Sequence, residues 1–283
     1  MFADIVIQII RMCHEIGLNV TAVTSDMGSP NRAMWKKLGI VIGRGIAAKN
    51  SFPHPCNSEN NICILADVPH LIKNVRNHIV SGQDIVLPQH IVQRFQLPSA
   101  TVSVAPLNRL VKFQEHHDLK PAPCLTSKHL DISHFDKMKV SQALHVFSHS
   151  VSSALRLMVA TENWEENVLT TAWFLEIMNK WFELMTSRHP VMAFSKFNGD
   201  KYDSAVSCLR TVIDLFQHVS IGKKGAWKPV QSGVLLSTFS VLELQNRFLN
   251  ILNFKFLLTA RLTQDCLENL FSCVRSKNAV PTA

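Results

Sequence analysis

Carboxylate side chains at two places in the sequence could hold a divalent cation. Asp26 follows the short β-branched run at 19–25, and Asp265 and Glu268 stand three residues apart near the end of the chain. Open α/β sheets gather ligands at the carboxyl ends of their strands, so Asp26 is well placed for a hard cation. The ordinary alternatives are a turn or cap for Asp26 and two solvated acids in the first turns of a helix.

The segment 263–277 is expected to form a helix, which decides how Glu268 would be presented. Residues three apart on a helix share a face, so Asp265 and Glu268 point in similar directions. At about 100° per residue, Glu268 falls at the margin of the apolar stripe and Asp265 points further out. We expect this stripe to be buried; it consists of Leu267, Leu270, Phe271 and Val274. A carboxylate at the rim of a core is held rigidly and can still reach a metal.

A further candidate helix opens at 67–78, with the sequence DVPHLIKNVRNH. Asp67 is its natural N-cap, and the proline at 69 suits the first turn. Lys73, Arg76 and His78 could meet phosphates, although a solvated helix face explains them nearly as well. We therefore predict that Asp67 is a structural cap.

Other familiar chemistry finds little support. No GxxxxGK[ST] loop is present, and the GKKG run at 222–225 lacks the strand–loop–helix context of a nucleotide-binding loop. The tight spacing of a zinc site is missing from the scattered ligands His54, Cys56, Cys63 and His70.

The elements that must position these residues begin with alternating helices and strands. A helix is predicted at 3–16, a strand at 19–25 and a helix at 32–38. A loop at 43–60 leads to a strand at 62–66 and a helix from 67 to 80. The first helix places four apolar residues at helical spacing, namely Ile5, Ile9, Met12 and Ile16.

The remainder of the chain is mostly helical. Residues 81–135 hold several prolines and little clear period. Helices are predicted at 136–160, 165–187, 203–219 and 230–252, before a strand-like run at 254–258. The whole is typical of an α/β fold interrupted by a helical insertion.

Composition sets the broad class. In 283 residues, 47% are hydrophobic and 18% charged, so the chain can bury a core. A net charge of +8 favours polyanionic partners, but a basic surface without a partner is equally compatible with it. Seven scattered cysteines indicate a reducing, cytosolic or nuclear setting, and no apolar run approaches the roughly 18 residues of a membrane span. Both ends look abrupt, so we expect a fragment of a longer open reading frame.

Three segments taken together resemble the P-element-type DNA transposases and their THAP-domain relatives. The run SDMGSPN at 25–31, with Trp35 and LGI at 38–40, looks like the family's second-aspartate segment. Residues 67–78 resemble its next landmark. The run RLTQDCLENLF at 261–271, with Arg275, is similar to the segment that carries the final glutamate.

The resemblance implies an α/β protein with an RNase H-like core split by a mostly α-helical, GTP-binding insertion domain. The implied divisions are an incomplete first core part at 1–66, the insertion at 67–225 and a truncated second core part at 226–283. It also implies that Asp26 is the second catalytic aspartate, that Glu268 is the catalytic glutamate, and that Asp265 faces the nucleotide. Asp26 and Glu268 would ligate the Mg²⁺ ions of a two-metal site, which activates a water or a DNA 3′ hydroxyl.

The chain departs from the family pattern in two ways. The first catalytic aspartate would lie before Met1, and Asp4, on a helix, does not replace it; we likewise expect the family's zinc-containing DNA-binding domain to lie outside these residues. The chain as written is therefore not expected to cut DNA. The family's guanine-reading motif has its nearest equivalent at 107–111 (LNRLV), without the aspartate, so GTP is only weakly supported and Lys112 is a candidate phosphate contact.

The leading hypothesis is a nuclear P-element-like transposase that binds transposon ends, cuts and joins DNA, and forms a homo-oligomer when intact. The alternative is a domesticated, catalytically inactive module that binds DNA or a partner. A helical interaction scaffold without nucleic acid is a third interpretation, which the three motifs disfavour.

Overall fold

A computed structural model describes residues 2–131, 139–197 and 199–277. Its first sheet is built around β3 (Asn57–Ala66), which pairs in parallel with β1 (Ala22–Ser25) and antiparallel with β2 (Ser51–His54). Residues 62–66 are all almost fully buried, as expected for a strand whose two faces are both covered. The loop predicted at 43–60 is wrong in its second half, because β2 and the start of β3 form a hairpin there.

Helices α1 (Phe2–Glu15) and α2 (Ser29–Lys37) flank β1 and pack on each other. The helix at 3–16 is confirmed, but its apolar stripe faces solvent, since Ile5, Ile9, Met12 and Ile16 are all exposed. Ala3 and Ile10 are the buried residues of α1. Helical spacing identifies residues that share a face, but α1 is apolar on more than one face, and spacing cannot say which face is covered.

Helix α3 (Val68–Val80) follows β3 in the chain. Helix α10 (Pro229–Gln245), from the last part of the chain, packs against both β3 and α3. Ser237 Oγ of α10 donates to the carbonyl of Ala66 at 2.7 Å and accepts from the amide of Ala66 at 2.9 Å. Ser240 Oγ donates to the carbonyl of Ile64 at 2.6 Å. Since the pairing of β2 with β3 stops at Cys63, these serines satisfy the polar backbone groups that the sheet leaves open.

A helical block lies between α3 and α10. Its helices are α4 (Gln89–Arg94), α5 (Ala105–Glu115), α6 (Val140–Val146), α7 (His149–Thr161), α8 (Val168–Met185) and α9 (Gly199–His218). A small sheet places β4 (Ile85–Val86) between β5 (Thr101–Val102) and β7 (Ser220–Ile221). The helices predicted at 165–187 and 203–219 are confirmed, and the one at 136–160 is two helices, with residues 136–138 outside the described part. Helices α4 and α5 and a 3₁₀ turn at Ser127–His129 lie in the described part of the stretch at 81–135, which lacked a clear period.

After the helical block, the chain returns to the first sheet. Helix α10 continues into a π-helical turn at Asn246–Ile251, and β8 (Phe256–Leu257) pairs with β6 (Phe194–Ser195) of the block. A 3₁₀ turn at Thr259–Leu262 leads to α11 (Asp265–Lys277). None of the described helices combines the length and apolarity that crossing a bilayer requires.

Candidate active site

The carboxyl ends of β1 and β3 meet at one edge of the first sheet. The two strands are parallel, with Ser25 opposite Ala66, so Asp26 and Asp67 follow neighbouring strands at the same level. The amide of Asp67 donates to the carbonyl of Ser25 at 2.9 Å. This is the edge at which open α/β sheets gather their ligands.

Two hydrogen bonds bring the start of α11 to the same edge. The amide of Gln264 donates to Asp67 Oδ1 at 2.8 Å, and Thr24 Oγ1 donates to the carbonyl of Leu262 at 2.8 Å. The first turn of α11, with Asp265 and Glu268, therefore sits beside the ends of β1 and β3.

Asp26 lies in a tight turn between β1 and α2. Its Oδ1 accepts from the amide of Gly28 at 2.7 Å and from Asn31 Nδ2 at 2.7 Å. A Cβ at position 28 would lie 2.8 Å from that oxygen, which explains why glycine occurs here. Within the described ranges Oδ2 accepts no hydrogen bond. One oxygen of Asp26 thus holds the turn, as the structural alternative predicts, and the other is available to a ligand.

Asp67 is almost fully buried and caps α3, which confirms its prediction as a structural cap. Its Oδ2 accepts from the amide of His70 at 3.2 Å and lies 2.6 Å from His70 Nδ1. Burial by itself would raise the pKa of Asp67, but the hydrogen bonds from His70 and Gln264 outweigh it and lower that pKa below its ordinary value. Asp67 is therefore a buried, ionised anchor.

His70 and Glu268 complete a cluster around Asp67. One potential ligand atom from each of the three residues lies within 4.8 Å of the others. The sequence presents His70 only as one of four scattered zinc-type ligands, although a histidine three residues after an N-cap aspartate is a signal for this contact. It could not detect that Glu268, from the far end of the chain, approaches the same point.

Lys73 and Arg76 lie beneath this edge, and both are buried. Neither the phosphate-contact nor the solvated-face prediction holds for them, because α6, α8 and α10 pack around α3. Burial lowers the pKa of the Lys73 ammonium, while the carboxylates of Glu268 and Asp67 partly offset that effect. A positive charge thus stands behind the acidic cluster.

Helix α11 differs from its prediction. The stripe expected to be buried is exposed, since Leu267, Leu270, Phe271 and Val274 all face solvent. Glu268 is exposed as well, whereas Asp265 is the less exposed acid and accepts a hydrogen bond on Oδ2 from Arg188 Nη2 at 2.6 Å. None of the described side chains at 265–276 is buried, so the helix covers no part of the core with its apolar stripe, which is why periodicity misplaced the buried face.

The predicted nucleotide contacts do not come together. Lys112 is exposed on α5, beside a shallow cleft of about 620 Å³ whose lining residues come from α5 and the segment at 162–164 and exclude Asp265. In the segment at 107–111, Leu107 and Leu110 belong to the core, so it cannot form a guanine-reading loop. Arg109 lies over the Trp164 ring, 4.1 Å from its centre.

A sheet with acidic residues at one edge, interrupted by a helical block that returns to the same edge, defines an RNase H-like α/β core with a helical insertion. Family models agree on both parts. Residues 1–39 match the TNP-like RNase H N-terminal domain, and residues 69–198 match the TNP-like GTP-binding insertion domain.

Individual proteins point the same way. The chain is 28% identical over 278 residues to the Transposable element P transposase of Drosophila melanogaster, and 28% identical over 274 residues to human DNA transposase THAP9. These alignments cover 97% and 92% of the chain, but 35% and 29% of the relatives, so the chain spans about a third of their length. A solved Drosophila P element transposase strand transfer complex matches with a TM-score of 0.83 and 25% identity, over 97% of this chain and 59% of that one. The chain is a P-element-type transposase relative.

Proposed function

We propose that this chain contributes Asp26 and Glu268 to a metal-dependent centre that cuts and joins DNA within a larger protein. The observation that carries the proposal is the hydrogen bond from Gln264 to Asp67, because it brings the start of the Glu268 helix to the sheet edge where Asp26 stands. The similarity to transposases supports the reaction class.

The donor groups suit a hard cation such as Mg²⁺. Oδ2 of Asp26 is free of hydrogen bonds from the described residues, and the same part of the chain offers the exposed Glu268 carboxylate neither a hydrogen bond nor a close ion pair. Carboxylate oxygens are the ligands that Mg²⁺ prefers. Metal ions bound there would supply Lewis-acid activation of a water or 3′ hydroxyl and stabilise the leaving oxygen.

Asp67 has a different role in this proposal. Its two oxygens are occupied by Gln264 and His70, so it positions the Glu268 helix. The buried Lys73 ammonium offsets part of the negative charge that the acidic residues bring together. In this proposal Asp26 holds the turn before α2, Asp67 orients α11, and Lys73 offsets part of the negative charge.

DNA ends are the proposed partner. A net charge of +8 favours binding to phosphates, and the solved relative is a strand transfer complex. Action on DNA would put the protein in the nucleus. Assembly into a homo-oligomer remains a prediction.

The test uses a complete open reading frame, in which this chain is joined to its own flanking segments or to those of the Drosophila relative. We expect Asp26→Asn and Glu268→Gln each to abolish Mg²⁺-dependent strand transfer while binding of DNA ends in a gel-shift assay is retained. Glu166→Gln, which removes an exposed acid in the insertion, is the matched control and should remain active. Strand transfer by either carboxylate variant would contradict the assignment.

The alternative, a catalytically inactive module that binds DNA or a partner, gives a different result in the same assay. Salt-sensitive DNA binding without strand transfer in the unmutated protein would favour it.

Nucleotide binding by the insertion is the second part of the proposal, supported by the matching GTP-binding insertion domain. The contact between Asp265 and Arg188 joins α11 to that block and is the candidate position for a nucleotide. Titration with fluorescent GTP and ATP analogues tests it. Asp265→Asn should weaken GTP binding at this position. Lys112→Ala tests the separate cleft on α5, because the structure places Lys112 and Asp265 apart. Unchanged affinity in either variant would remove that residue from the nucleotide site.

A further inference from the structure

Three ligand-bearing residues meet on the surface of the helical block, away from the sheet edge. His90 belongs to α4, and Asp214 and His218 belong to α9. His90 Nε2 lies 2.8 Å and His218 Nδ1 lies 3.4 Å from the same oxygen, Asp214 Oδ1. One potential ligand atom from each residue lies within 4.8 Å of the others, and the two imidazole rings stand almost perpendicular, with centres 5.1 Å apart.

The backbone around this cluster is firmly held. Asp214 and His218 are four residues apart on α9 and so share one face. Directly after α9, β7 pairs with β4, which precedes α4, and Ile221 stands opposite Ile85. The amide of Gly222 also donates to the carbonyl of Asp84 at 2.9 Å. These links fix the end of α9 relative to the start of α4.

Buried side chains anchor both helices from below. Ile91 of α4 and Leu215 of α9 are fully buried. The three polar side chains remain partly open to solvent, with 48%, 33% and 53% of the His90, Asp214 and His218 side chains exposed. A ligand set on rigid elements with one side open to water is a suitable framework for a bound ion.

The donor set selects the chemical class of that ion. Two imidazoles and one carboxylate are borderline ligands, which suit Zn²⁺, Co²⁺ or Ni²⁺, whereas Mg²⁺ and Ca²⁺ prefer oxygen alone. Three protein ligands leave a fourth position for water. His90 Nε2 is the imidazole nitrogen that hydrogen bonds to the Asp214 carboxylate, whereas His218 Nδ1 lies 2.8 Å from the backbone carbonyl oxygen of Asp214. An ion held through His218 Nδ1 would displace that backbone hydrogen bond.

We propose that His90, Asp214 and His218 bind a transition-metal ion of the Zn²⁺ class, which clamps α4 to α9. The ligands come from segments 124 residues apart, so the ion would cross-link the two ends of the helical block. Binding to the folded state alone would stabilise that block. The site is independent of the proposed DNA-cutting centre, because it shares no residue with it and takes two of its three ligands from imidazoles.

The test follows Co²⁺ binding to the metal-free chain by visible absorption, followed by displacement with Zn²⁺. We expect saturable binding of one Co²⁺ with nitrogen ligation, reversal by Zn²⁺, no displacement by Mg²⁺, and a rise in melting temperature with Zn²⁺. His90→Ala, Asp214→Asn and His218→Ala should each weaken binding by at least about tenfold, since even loss of an outer-shell partner of a metal ligand costs that much. The control His116→Ala removes an exposed histidine elsewhere and should bind normally.

A second variant separates this site from the sheet edge, where Asp67, His70 and Glu268 also cluster. His70→Gln should leave the Co²⁺ signal intact. Loss of the signal in His70→Gln with normal binding in His90→Ala would assign the ion to the sheet edge and overturn the proposal. Unchanged binding in all three ligand variants, or no saturable binding, would overturn it as well. Since the three ligands are partly exposed, circular dichroism should show each variant folded.

Discussion

The carboxylate of Asp67 accepts a hydrogen bond from the backbone amide of Gln264 at 2.8 Å, although 197 residues separate the two. This bond joins the end of β3 to the start of α11 across the whole helical block. The same carboxylate caps α3 through His70. One buried aspartate therefore sets the relative positions of three elements, and it links the stability of the fold to the location of Glu268.

Replacing this aspartate should show how much the link contributes. In Asp67→Asn, the side chain keeps its size but has one oxygen to accept from three donors, namely the amides of Gln264 and His70 and the His70 ring. Leaving buried donors unpaired should lower the free energy of unfolding by about 2–3 kcal/mol, measured by urea denaturation. Asp118→Asn, at an exposed position, is the control and should change stability by less than about 0.5 kcal/mol. Equal stability of Asp67→Asn and the parent chain would contradict the anchor role.

The contribution of Asp67 should depend on pH in a defined direction. Burial opposes ionisation, but the hydrogen bonds of His70 and Gln264 hold the pKa of the folded state below the ordinary value of 3.8. The unfolded chain therefore binds the proton first as pH falls, so the stabilisation is present above 3.8 and is lost as pH falls through the lower, folded pKa. The difference in unfolding free energy between the parent chain and Asp67→Asn should be constant near neutral pH and shrink below about pH 4. If this difference grew on acidification, the pKa of Asp67 would be raised in the folded state, which would contradict its role as an ionised anchor.

The sequence could predict local features but not long-range ones. The cap at Asp67 depends on neighbours within three residues, and the structure confirms it. The approach of Gln264 to Asp67 depends on how the helical block folds back, and no spacing in the sequence records that. The clusters around Glu268 and around Asp214 were missed for the same reason, because their members come from distant segments. The apolar stripes of α1 and α11 show a second limit of sequence-based prediction. Periodicity identifies the residues that share one face of a helix, but it does not tell whether another element packs against that face.

The apolar stripe of α11 is buried according to the sequence pattern and exposed in the structure, and a substitution within it distinguishes the two. Leu270 is 58% exposed, so Leu270→Ala should change the free energy of unfolding by less than about 0.5 kcal/mol. Leu71, fully buried in α3, is the matched comparison, and Leu71→Ala should cost about 2–5 kcal/mol. Thermal or urea unfolding of the two variants decides between them. A loss of more than about 2 kcal/mol in Leu270→Ala would restore the prediction that this stripe belongs to the core.

The close approach of α10 to β3 and α3 depends on Gly233. Alanine within a helix is ordinarily favoured over glycine by about 1 kcal/mol. At position 233, however, a Cβ would collide with Leu71 Cδ2 and would lie 2.9 Å from Met27 Sδ and 3.4 Å from the Cβ of Ala66. Overpacking of this kind costs about 1–3 kcal/mol, so it should exceed the gain in helix propensity.

Gly233→Ala should therefore destabilise the chain, with a lower melting temperature and a lower urea midpoint. The matched control is Gly199→Ala at the start of α9, where a Cβ meets nothing within 4 Å. That variant should be neutral or slightly stabilised, because it gains helix propensity without a collision. If Gly233→Ala were as stable as Gly199→Ala, α10 would have to move away from β3. The hydrogen bonds of Ser237 to Ala66 would then lengthen, and faster amide hydrogen exchange at Ala66 would report that movement.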